Sequence, residues 1–177
     1  MVEITERVHD RLTKKMFWEP KSRTDVVITD KTDAANGMAT LLPAKYILLY
    51  TAIPGVDSAL DNYKHYYEFL FVHEYTHILH IDQYYRLATP LRKVMGTVVT
   101  PNAATPGWMR EGMAVYEESA MDEHFGRINS DRTEMVLRSS YYNGVFPSID
   151  QIANLSKAFP AGMGAYLFGG RFFKWLA

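Results

Sequence analysis

The pentapeptide His73-Glu74-Tyr75-Thr76-His77 constrains this chain more than any other feature. On an α-helix, residues four apart lie on one face about 6 Å apart along the axis. Two imidazoles so placed can reach one metal ion at roughly 2.0–2.1 Å each. The motif sits in a stretch, residues 58–86, that reads as one long helix opened by Ser58 and Asp61 in the manner of a capping box. Four of the six histidines fall between His65 and His80, and the chain has no cysteine. A disulfide framework, a thiolate metal site and a cysteine nucleophile are therefore excluded, and a transition metal must be held by histidine and carboxylate.

Glu74 follows His73 directly, so it faces the same region from a different angle and can take a proton from a water that the metal activates. Zinc needs a third protein ligand. Position 83, where a metzincin would carry its third histidine, is Gln83. His80 is seven residues from His73, about 10 Å along the axis, and reads as a helix-face histidine. The best third ligand is Glu111, in the first turn of a second helix. Gly112 and Ala114 beside it would allow close approach of the two helices, and Glu118, two turns on, is placed to orient a ligand histidine. Glu117 reads as the weaker alternative, a solvated side chain.

His73-Glu74-x-x-His77 followed by Trp108-Met-Arg-Glu111-Gly112-Met-Ala114 resembles the gluzincin superfamily of zinc peptidases, its aminopeptidase group in particular. The resemblance implies an α+β, zincin-like fold, mainly helical with a small sheet in the N-terminal third. It also implies Zn²⁺ on His73, His77 and Glu111, Glu74 as general base, and Glu118 as support. Tyr166-Leu-Phe-Gly169 is similar to the Y-x-x-G helix whose tyrosine stabilises the oxyanion in that group, with Tyr141 and Tyr142 as competing candidates. The aminopeptidase G-x-M-E-N segment, which grips a free amine, is absent, and an endopeptidase is expected. Residues 30–39 also resemble bacterial zinc-peptidase domains that precede a Tol-type β-propeller. That likeness implies a propeller partner and an extracytoplasmic location.

Lys plus Arg number 19 and Asp plus Glu 20, which argues against a nucleic-acid binder or a polybasic membrane-surface protein. Aromatic residues at 14% with a net charge of −1 exclude intrinsic disorder. No secretory leader and no membrane-spanning run is visible. The last helix stops in mid-pattern, so 1–177 is expected to be a single zinc peptidase domain cut from a longer protein, with helix and small sheet in 1–57 and the helical catalytic part in 58–177. Strands are expected over 25–30 and 45–53, the second as an edge strand above the metal helix that could pair with substrate backbone. The Asp33–Gly37 stretch reads as a turn. Helices are expected over 4–17, 108–120, 131–142, 148–155 and 164–177, with loop and a short helix over 87–100. Two rival readings stand beside the enzyme: a catalytically silent metal-binding module beside a partner domain, and a metal-free helical interaction domain.

Overall fold

The computed structural model describes residues 1–55, 58, 60, 62–153 and 162–177. Asp61 and residues 154–155, on which part of the capping box and the end of the 148–155 helix were expected, lie outside the described residues. The chain is a mixed α and β protein, mainly helical, with one three-stranded sheet. It forms two compact units, each discontinuous in sequence. One comprises Met1–Ile53 and Leu70–Thr105, the other Pro54–Phe69 and Pro106–Ala177.

In the first unit, α1 (Val2–Met16) buries Val8 and Leu12, which are four residues apart and hence on one face. Lys14 and Lys15 in its last turn complement the helix dipole. It ends at Phe17, held in the left-handed region at φ 52°, while the Trp18 N–H donates back to the Thr13 carbonyl. The sheet has the order β1 (Asp25–Thr29), β3 (Tyr46–Tyr50), β2 (Gly37–Thr40). β1 runs parallel to β3 and β2 antiparallel to it. Alternation in β3 buries Ile47 and Leu49 completely. β3 is therefore the central strand, and the expectation that it is an edge strand is corrected. The edges are β1 and β2, and β2 begins at Gly37, inside what reads as a turn.

α2 (Tyr66–Asp82) starts eight residues later than its sequence suggests. It is apolar nearly all round, the signature of a buried helix, and Phe69, Leu70, Phe71, Val72, Ile78 and Leu79 are all buried. Its last residue, Asp82, is 1% exposed and receives Lys45 Nζ at 2.8 Å, Trp18 Nε1 at 3.1 Å and the Arg92 guanidinium. Arg92 lies on α3 (Ala88–Met95), which leads into a 3₁₀ turn at Gly96–Val98.

The second unit holds α4 (Gly107–Ser119), α5 (Asp131–Tyr142), α6 (Ile149–Ala153) and α7 (Gly164–Leu176). Ser130 caps α5, its hydroxyl accepting from the Thr133 N–H. α4 and α7 touch backbone to backbone, because Gly112 and Gly169 meet at the crossing. A Cβ on Gly112 would fall 2.4 Å from the Gly169 carbonyl carbon. Gly112 thus serves the close approach of α7. Gly112→Ala must push two backbones apart and is expected to destabilise the chain by about 1–3 kcal/mol or more. Urea denaturation measures this, and an unchanged midpoint would show that the crossing is looser than described.

Candidate metal centre

His73 and His77 occupy successive turns of α2, their ring centroids 4.9 Å apart and their planes at 87°. His73 is buried, His77 half-buried, and so is Glu111 in the first turn and a half of α4. One ligand atom from each of these three residues lies within 4.8 Å of the others. Two imidazole nitrogens and a carboxylate oxygen this close together could hold a metal ion. The three residues chosen from the sequence as ligands are therefore brought together.

Glu74 is 6% exposed. The first residue of β2 lies directly over it: a Cβ on Gly37 would sit 3.0 Å from Glu74 Cγ and 3.1 Å from its Oε1. A side chain at position 37 would crowd that carboxylate, which would have to give by a few tenths of an ångström. The Gly37 N–H is held by the Asn36 side-chain oxygen at 2.9 Å, and the Tyr50 N–H donates to the Asn36 carbonyl at 3.1 Å. This pairing turns the Gly37 and Ala39 backbone groups toward the open edge of the sheet.

Tyr75, inside the motif, turns to the other side of α2, two positions or roughly 200° from His73. Its Oη meets His9 Nδ1 at 2.5 Å, and His9 Nε2 meets Glu19 at 3.2 Å. Burial, helped by the negative charges of Glu19 and Asp82, raises its pKa and keeps it a neutral phenol. His80 lies against Thr105, Nε2 to Oγ1 at 3.1 Å. Pro106, the next residue, takes the N-cap position of α4.

Glu118 is 1% exposed and grips Arg127 in a fork, Nε to Oε1 at 2.6 Å and Nη2 to Oε2 at 2.7 Å. The Tyr63 hydroxyl donates to the same carboxylate at 2.8 Å. Burial works against the charge on Arg127, but Glu118 outweighs it and the guanidinium pKa is raised. Burial, and next to it the charge of Glu118, also raises the pKa of Tyr63. The triad is thus a carboxylate, a guanidinium and a neutral phenol, with its charges matched. Arg127 and Tyr63 were missed by sequence reasoning, since neither belongs to a local pattern. Glu117, expected to be solvated, is buried at 5% exposure.

Tyr166 is half-buried in the first turn of α7, its ring 4.9 Å from the Arg127 guanidinium carbon. Tyr141 and Tyr142 lie at the end of α5, 71% and 82% exposed, stacked edge to face on each other. Among the described residues, no helix is long and apolar enough to cross a membrane.

No family model matches this chain, and no solved structure matches it. A protein of Treponema pallidum (strain Nichols), described only as uncharacterized, is 30% identical over 159 residues. That stretch is 89% of this chain and 13% of the relative, so the chain spans a small part of the length of the protein it matches.

Proposed function

We propose that this chain is a zinc-dependent peptidase domain of gluzincin type that cleaves peptide bonds internally. The observation that carries the proposal is the convergence of His73, His77 and Glu111 beside a buried Glu74. A purely structural site has no use for that second carboxylate. When bound, Zn²⁺ supplies Lewis acidity, which makes a water nucleophilic near neutral pH and polarises the scissile carbonyl. Glu74 takes the proton that this water loses as its oxygen bonds to the carbonyl carbon. It passes the proton to the amide nitrogen as the C–N bond breaks, so acid and amine leave as separate products. Tyr166 is favoured as the donor to the developing oxyanion, because Tyr141 and Tyr142 are surface residues. With β3 central, β2 is the strand that would pair with an extended peptide, since its first residue already lies over Glu74. Such pairing reads backbone rather than side chains, which fits an endopeptidase without an amine anchor. The Tol-type propeller partner and the extracytoplasmic location belong to the same proposal and rest on the resemblance alone.

Metal analysis coupled to a peptide-library assay tests the reading. The purified chain is expected to hold about one zinc per molecule, to lose cleavage when the metal is chelated, and to regain it when zinc is restored. His77→Ala is expected to lose both metal and activity. A chain that binds no zinc, or one that cleaves equally well under chelation, would overturn it.

A further inference from the structure

α3 is mounted inside out. Its polar side faces the protein, where Arg92 is 9% exposed, paired with Asp82, bonded to the Val99 carbonyl at 2.7 Å and laid over the Tyr84 ring at 4.5 Å. Its apolar side faces solvent. Leu87, Leu91, Val94, Met95 and Val98 follow the spacing of one helical stripe, and they are 86%, 54%, 87%, 58% and 63% exposed. An apolar stripe turned to water costs free energy that nothing inside this unit returns.

Two further features extend this stripe. Phe17 is 86% exposed in a left-handed conformation that would suit glycine better, so the fold has no use for its ring there. The Tyr85 hydroxyl donates to the Phe17 carbonyl at 3.1 Å and Gln83 Nε2 to the Met16 carbonyl at 3.3 Å, which ties the end of α1 to the approach of α3. The second feature is charge. Residues 83–110 contain no Asp or Glu, whereas the chain's average would place about three there, and they carry Arg86, Arg92, Lys93 and Arg110. Arg86 and Lys93, interleaved with the stripe in sequence, are exposed, and so are Lys14 and Lys15 in the last turn of α1, which Tyr85 and Gln83 tie to the approach of α3. Glu19, the nearest acid after Phe17, is drawn to His9.

We infer that this face is an interfacial membrane anchor, whose occupant is an anionic lipid surface. A short stripe of Leu, Val and Met with an aromatic residue at one end sinks to the level of the acyl boundary, and long basic side chains reach the headgroup phosphates. The missing acids select a negatively charged surface, because any carboxylate beside the stripe would be repelled by it. The helix lies on the bilayer and does not span it. The overall charge balance, which argues against a polybasic surface protein, hides this local excess. The inference is independent of the metal site.

Sedimentation of the 177-residue chain with vesicles tests it, using phosphatidylcholine alone and phosphatidylcholine mixed with phosphatidylglycerol. The chain is expected to partition onto the mixed vesicles, more weakly onto the neutral ones, and less as salt is raised. Leu91→Glu and Val94→Glu each are expected to lower the partition by about tenfold or more. Both positions are exposed, so the fold should survive, and circular dichroism checks this. Arg86→Glu with Lys93→Glu gives a second reading, expected to remove the preference for phosphatidylglycerol. Failure of the unaltered chain to bind either vesicle would overturn the inference. So would equal binding by all variants, or a concentration-dependent dimer that the same substitutions abolish in place of vesicle binding.

Discussion

A Glu74→Gln chain is expected to keep its zinc and to cleave peptides about 10²–10⁴-fold more slowly, the usual contribution of a positioned general base. Glutamine has the shape of glutamate, so it fits the same space under Gly37. It cannot accept a proton from water at neutral pH. The loss should fall on kcat rather than KM, because the proton moves only in the transition state. Bound zinc, measured on the same sample, separates this result from a loss of the site. Equal cleavage by the two chains would leave the three-ligand cluster standing and remove the enzyme. That is the outcome the silent metal-binding module predicts.

What could be read from the sequence follows the range of the interaction involved. His73 and His77 are four residues apart on one helix, so their convergence is a local matter. Glu111 is 34 positions on, and was legible only through its own neighbours, the Trp108-x-x-Glu111-Gly112 pattern at the start of a helix. α5 (Asp131–Tyr142) was legible to the residue because Asn143-Gly144 closes it, while its Ser130 cap shows only in the structure. β2 was not, because Asn36-Gly37 gives a strong turn signal and the strand exists only through its pairing with β3. The central place of β3 depends on that same missed partner. The apolar stripe 87, 91, 94, 95, 98 is visible as a period, but a period does not say which side faces inward. Arg92 decides that, through a carboxylate on another helix.

That carboxylate, Asp82, carries the second large effect. Asp82→Ala is expected to cost about 3–5 kcal/mol, the usual penalty for breaking a buried ion pair by removing one partner. Against a typical total of roughly 5–15 kcal/mol, this is a large share of the stability of the fold. The reason is the company Asp82 keeps. Lys45 and Arg92 are only 6% and 9% exposed, and without the carboxylate both cations stay buried beside each other. Trp18 Nε1 loses its acceptor as well. Asp82→Asn keeps an acceptor but not the charge, so its cost should be smaller. Lys45→Met combined with Asp82→Ala removes one stranded cation and should recover part of the loss, which a double-mutant cycle reads directly. Urea denaturation of the four chains is the measurement. A change under about 1 kcal/mol for Asp82→Ala would mean that water reaches the cluster. The same substitution ends α2 beyond the histidines and releases the polar side of α3, so zinc affinity and vesicle binding should weaken together. If only stability changes while both functions persist in the folded fraction, Asp82 supports the core and does not position either surface.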